Sequence, residues 1–119
     1  MKKDFKKWHK EKEYIHEERV RLFFNEQEVW FCSLGANVGF EQDGVGEKFL
    51  RPIVILKKFS NETFWGVPTT KKDKKGKFYF RFSYKKNEFT SAILSQVRII
   101  DGKRLLYKIG FIRKNNLKT

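Results

Sequence analysis

The apolar residues of this chain change their spacing near Glu28. Before it, Phe5, Trp8, Lys12, Ile15 and Arg19 recur three or four positions apart, with charge elsewhere. That period puts them on one helical face and predicts a helix over residues 4–20. Asp4 is the expected N-cap, because its carboxylate can accept a backbone N–H left unpaired in the first turn. The apolar stripe is thin, so the helix is expected to lie against the domain rather than form its core. From Glu28 onward the runs are short, aromatic and β-branched. Val29–Leu34 stops at Gly35 and reads as a strand buried on both faces. Pro52–Leu56 and Thr63–Pro68 read the same way, separated by a turn at Asn61-Glu62, with Thr69 and Thr70 leaving the second of them. Phe78–Tyr84 alternates more strictly and fits a half-exposed strand. Ala92–Leu94, Val97–Ile100 and Tyr107–Ile112 complete the set, with Asp101 placed to cap a short helical turn through 103–105. Many short strands joined by glycine and lysine turns predict a mainly β fold, a small and strongly bent antiparallel barrel.

Length and composition narrow this picture. A chain of 119 residues with no repeat or linker suits one domain. No apolar run approaches the roughly 20 residues of a membrane helix. The first residues, MKKDFKKWHKEKEY, are charged throughout and lack the apolar stretch of a signal peptide. The single cysteine, Cys32, lies among aromatics in a predicted strand and reads as a buried small residue rather than a nucleophile. These features together predict a cytoplasmic protein.

The net charge is +13 and unevenly spread. Residues 57–119 carry 17 basic and 4 acidic side chains, whereas residues 26–56 carry 2 basic and 5 acidic. Lys71–Lys77 alone holds five lysines in seven positions. Such a field attracts polyanions and makes binding salt-dependent, so it favours nucleic acid over solubility alone as its purpose.

Candidate chemistry gathers at the acidic stretch Asn37–Pro52, NVGFEQDGVGEKFLRP, a glycine-rich loop between two predicted buried strands. Pro52 disfavours helix at Arg51 and sets that arginine at the mouth of the second strand. The chain has no Cys-x-x-Cys pair, no His-Glu-x-x-His and no phosphate-binding Gly-Lys-Thr loop. Its two histidines, His9 and His16, both fall in the predicted helix and read as surface residues. What remains is Glu41 in the loop, Arg51 at the start of one strand and Thr69 at the end of the next, which antiparallel pairing makes neighbours. Such a set can cleave RNA without a metal. The guanidinium grips the phosphate, the hydroxyl donates to the same oxygens and the carboxylate takes the 2′-proton. These residue types are common companions. By themselves they leave open a nuclease, a non-catalytic RNA-binding barrel using Trp65, Phe80 and Tyr84, and a protein-interaction module.

Four segments narrow that choice: EVWFCSLGANVGFEQDG, RPIVIL, VPTT and ILSQVRIIDGKRLLYKIG, which together span Glu28 to Gly110. In content and order they resemble the MazF/PemK family of toxin endoribonucleases. The resemblance implies an SH3-like barrel over residues 26–114 with residues 1–25 as a helical extension. It also implies a homodimer, metal-independent cleavage of single-stranded RNA (chiefly mRNA) without a cofactor, and neutralisation by an acidic antitoxin protein. Carried over by position, Arg51 matches the family's catalytic arginine, Thr69 its catalytic threonine and Glu41 its loop glutamate. Gln42, Lys48, Thr70, Lys71, Lys72, Ser95 and Gln96 are the expected RNA contacts. Arg98 and Asp101 match a later motif and read as structural, Arg98 in a strand-edge salt bridge and Asp101 as a helix cap. Three departures stand out. Val45–Leu50 is inserted and is expected to lie over the RNA groove. Ser95 stands where many members carry an acid, which shifts the role of base to Glu41 or solvent. The family's long C-terminal helix has no counterpart before Thr119, so the N-terminal helix is expected to take its place.

Overall fold

The computed structural model describes residues 2–72, 74–85 and 88–112. Asp73 of the lysine-rich turn and the chain after Ile112 fall outside the described residues. The fold is mainly β. Helix α1 (Phe5–Glu18) precedes β1 (Glu28–Ser33), β2 (Leu50–Lys58), β3 (Thr63–Thr70), β4 (Tyr79–Lys85), β5 (Glu88–Ile93), β6 (Arg98–Asp101) and β7 (Leu105–Phe111). All pairings are antiparallel, in the order β4-β5-β3-β2-β1-β7. One edge of β3 is shared. Its first half pairs with β6 and its last two residues pair with β5. The sheet therefore curls into a half-barrel, and its two ends approach where Gly110 of β7 meets the Tyr84 ring of β4.

The long apolar runs are explained by two cores, one on each face of the sheet. Trp30, Cys32, Ile53, Ile55, Phe64, Ile100 and Leu105 fill one, together with Phe24 from the segment before β1. Val29, Val54 and Val67 face the other way, where Phe82 of β4 and Ala92 of β5 fold over them. Strands β1 and β2 thus have no solvent face along their centres, which is why they do not alternate. The expected strands are present with shifted ends. β5 begins at Glu88, four residues before the apolar run, because the polar residues Glu88, Thr90 and Ser91 also pair with β4. Leu94–Gln96 is a single 3-10 turn rather than strand, and a second one spans Gly102–Arg104. Asp101 caps the latter, accepting from Lys103 N at 2.9 Å.

Helix α1 starts as expected, with the Asp4 carboxylate accepting from Lys7 N at 2.9 Å. It ends at Glu18 rather than residue 20, because Arg19 is extended. The Arg19 guanidinium leaves the helix to donate to Ser33 Oγ at 2.9 Å and to the Arg104 carbonyl at 3.2 Å. Trp8 and Ile15 carry the helix onto Ala36 and Phe49, forming a third, small cluster. The Trp8 and Phe49 rings lie 5.3 Å apart and tilted. Phe24, in the segment between α1 and β1, belongs to the main core.

Two measurements test this packing. Trp8→Ala empties the contact that seats α1, and urea unfolding is expected to show a loss of about 3 kcal/mol. An unchanged midpoint would mean the helix is not integral to the domain. Burial pushes the Cys32 thiol up to about 12. At pH 8 the folded protein is expected to resist an aromatic disulfide reagent that labels the urea-unfolded chain within minutes.

Candidate functional site

The loop after β1 is fastened at almost every residue. Gly35 turns the chain at φ +93°, and a Cβ there would lie 2.2 Å from the Trp8 ring. The Asn37 amide then donates to the carbonyls of Leu34 at 3.2 Å and Gln42 at 2.8 Å, closing the loop on itself. Asp43 accepts from Asn37 N at 2.6 Å and pairs with Lys3 at 3.0 Å. Lys3, just ahead of α1, also donates to the Asn37 carbonyl and, at 3.0 Å, to that of Gly39. At Gly44 a Cβ would sit 1.6 Å from the Phe49 carbonyl oxygen, so only glycine fits.

Val45 and Leu50 exchange backbone hydrogen bonds at 2.8 and 2.9 Å, making a small hairpin of the expected insertion. Phe49 adopts φ +53° and is buried beneath Trp8. The insertion, expected over the RNA groove, packs under α1 through Phe49 and contributes no residue to the groove that Glu41 lines. The apolar gain of burying Phe49 holds it against α1 instead. Lys48 goes with it and lines a different groove, with Glu11, Tyr14 and Arg19.

Arg51 and Thr69 do become neighbours. Arg51 Nε donates to the Asp43 carbonyl at 2.6 Å and its Nη1 to the Thr69 carbonyl at 2.7 Å. One guanidinium thus ties the loop to the end of β3. Burial lowers its pKa, with Asp43 acting in the opposite direction, and an arginine stays cationic regardless. Thr69 is buried, and its hydroxyl donates to the Pro52 carbonyl at 2.8 Å. Its proton is committed within the sheet. Glu41 is exposed and accepts from Val38 N at 3.1 Å.

Glu41 lines a groove of about 580 Å³. Leu34, Pro68 and Val97 give it apolar walls, while Asn37, Phe40, Gln42, Ser95, Gln96 and Arg98 supply the rest. Three of the expected contacts, Gln42, Ser95 and Gln96, meet here from distant parts of the chain. Gln96 Oε1 accepts from Gln42 N at 2.8 Å, locking the loop to the turn before β6. Thr70, Lys71 and Lys72 do not join them. Thr70 is tied to Thr90 and Lys72 N, and Lys71 lines a separate depression with Tyr84 and Phe89. The aromatics of the alternative binding surface are divided too. Phe80 and Tyr84 pack on the second core, whereas Trp65 stacks edge-on against Phe59.

Arg98 is the residue that the sequence reading undervalued. Among the described residues its guanidinium makes no hydrogen bond or ion pair, so the expected strand-edge salt bridge is not formed there. It is half-buried in the groove wall. The signal was its parity. Arg98 shares a strand face with Ile100, a core residue, so its charged end has to emerge at the mouth of the barrel. Asp101, by contrast, is structural as expected, holding Arg21 at 2.8 and 3.0 Å.

No protein-family model and no curated protein matches this chain. Among the described residues no helix is long and apolar enough to cross a membrane, and no cluster of His, Cys, Asp and Glu is placed to hold a metal ion. The groove sets one arginine, Arg98, beside the Gln42 amide and the Ser95 hydroxyl, a donor set suited to a phosphodiester carrying hydrogen-bonding substituents.

The Arg21–Asp101 pair gives a pH-dependent prediction. Burial raises the Asp101 carboxyl, but hydrogen bonds from Arg21 and Lys103 N outweigh it and leave the pKa below the ordinary value. A depressed carboxyl stabilises the fold above its unfolded pKa of about 3.9 and loses that contribution as pH falls through the lower folded value. Acid unfolding of Asp101→Asn is therefore expected to be flatter below about pH 4 than that of the parent. Parallel curves would assign acid lability elsewhere.

Proposed function

We propose that this chain is a metal-independent endoribonuclease acting on single-stranded RNA, the toxin of a type II toxin–antitoxin pair of the MazF/PemK kind. The observation that carries the reading is the convergence of Arg51 and Thr69 at adjoining strand ends, where the loop bearing Glu41 is tied to them. In this reading the RNA 2′-oxygen attacks the adjacent phosphorus. The O2′–P bond forms, the P–O5′ bond breaks, and a 2′,3′-cyclic phosphate and a free 5′-hydroxyl result. The 2′-proton passes to Glu41 or to water, and the departing 5′-oxygen takes a proton from water. Arg51 Nη2, the guanidinium nitrogen not committed to a carbonyl, donates to a phosphoryl oxygen as its charge grows. Arg98 holds the strand by a neighbouring phosphate. Thr69 acts through its carbonyl, which orients Arg51, rather than through its already donated hydroxyl. A second copy of the chain and an acidic antitoxin are the partners that this reading carries.

The test is a defined single-stranded RNA incubated in EDTA with wild type, Arg51→Ala and Arg51→Lys, cut ends mapped. Wild type is expected to cleave and leave cyclic phosphate. Both variants are expected to fall about 100-fold or more, since lysine keeps the charge but not the forked geometry. A requirement for magnesium, or full activity in Arg51→Ala, would overturn the mechanism. Salt-sensitive retention of RNA with no product would favour a non-catalytic binding barrel.

A further inference from the structure

Phe40 is 100% exposed, although its loop is otherwise fastened throughout. Hydrogen bonds on either side fix the backbone that carries the ring. Val38 N and Glu41 bracket the turn, Lys3 holds the Gly39 carbonyl, and Gln96 reaches both Gln42 N and, at 3.4 Å, the Phe40 carbonyl. A phenyl ring gains nothing from water, and burying one stabilises a fold substantially. Here a rigid backbone keeps the ring at the rim of the groove, with both faces open.

The groove behind the ring has a defined chemistry. Glu41 and Arg98 are its charged side chains, so the lining itself carries no net formal charge. It offers instead an aromatic face, apolar walls from Leu34, Pro68 and Val97, and the Gln42 amide, which has no partner among the described residues. Aromatic face, amide and one guanidinium are what an unpaired nucleobase and its attached phosphate require. An acidic peptide would need the cationic excess that this lining lacks. We propose that Phe40 is a stacking platform for one unpaired base of the bound strand, with the Gln42 amide reading that base's edge and Arg98 holding its phosphate. This deepens the nuclease reading above and rests on it for the identity of the strand.

The test uses binding, so that it does not depend on cleavage. A fluorescent single-stranded oligonucleotide made with 2′-O-methyl sugars cannot undergo the 2′-hydroxyl reaction. Its affinity is measured at several salt concentrations for wild type, Phe40→Ala, Phe40→Trp and Phe23→Ala. Phe23 is a remote aromatic that is 75% exposed. Phe40→Ala is expected to bind about tenfold more weakly with an unchanged salt slope, because stacking releases no counterions. Phe40→Trp is expected to retain affinity and to show quenched indole emission on binding. Replacing the bases one at a time by abasic sugars should reveal one position that matters to wild type and not to Phe40→Ala. Equal affinity of Phe40→Ala and wild type, an equal loss in Phe23→Ala, or no binding by wild type would each overturn the proposal. Competition by poly-glutamate, with no abasic position mattering, would overturn it in favour of an acidic peptide. The two readings fail separately. Binding that depends on Phe40 without cleavage of unmodified RNA sinks the nuclease alone, whereas cleavage in EDTA with identical rates and cut sites in Phe40→Ala sinks the stacking platform alone.

Discussion

A long loop seated against a barrel must find partners for backbone groups that no strand ladder reaches. In this protein side chains supply many of those partners, beside backbone bonds such as Gly44 N to the Gly35 carbonyl and the Val45–Leu50 pair. Arg51 is central among them, because its two bonds join the loop at Asp43 to the end of β3 at Thr69. Asn37, Asp43, Lys3 and Gln96 add further bonds, meeting the loop backbone at Leu34, Asn37, Gly39, Phe40 and Gln42. The result is a loop whose shape is imposed from four directions: the sheet, the N-terminus, the turn before β6 and its own amide. Rigidity of that kind lets an exposed ring and an exposed carboxylate keep fixed positions relative to a groove.

The helix belongs to the same arrangement. α1 has a sparse apolar face and buries only Trp8 and Ile15. What it covers is the underside of the loop, through Phe49 and Ala36, so its packing and the loop's conformation are one cooperative contact. Arg104 reinforces the junction. It stacks over Trp8 at 5.5 Å and donates to the Ser33 carbonyl at 3.2 Å. Burial lowers its pKa, and repulsion from Arg98 adds to the effect. Holding two guanidinium groups near one another at the end of the barrel has an electrostatic cost, which a bound anion would relieve.

Charge and site are separated in space. The lysines after β3 produce a broad positive field, yet Lys71 lines a depression apart from the groove and Lys48 lies on the helix side. The field can draw a polyanion toward the molecule, while selection falls to a groove that is close to neutral in its own lining. Charged residues chosen for the site by sequence proximity alone therefore scatter, whereas Gln42, Ser95 and Gln96 converge.

The sequence by itself determined the elements. Apolar runs without alternation required strands buried on both faces, the three-four spacing required α1, and Pro52 held Arg51 extended at the start of a strand. These are local steric and hydrophobic constraints, and they leave few options. It also brought Arg51 and Thr69 together, because antiparallel pairing dictates which ends adjoin. Tertiary structure decided the rest. Whether Val45–Leu50 lay over the groove or under the helix depended on Phe49 finding Trp8, a contact across 41 positions that no local pattern encodes. Whether the Thr69 hydroxyl faced a ligand or the Pro52 carbonyl depended on the register of two strands. Whether Arg98 had a partner depended on which side chains surrounded the barrel's mouth. Periodicity fixes the face on which a residue stands, but only packing fixes what stands opposite it.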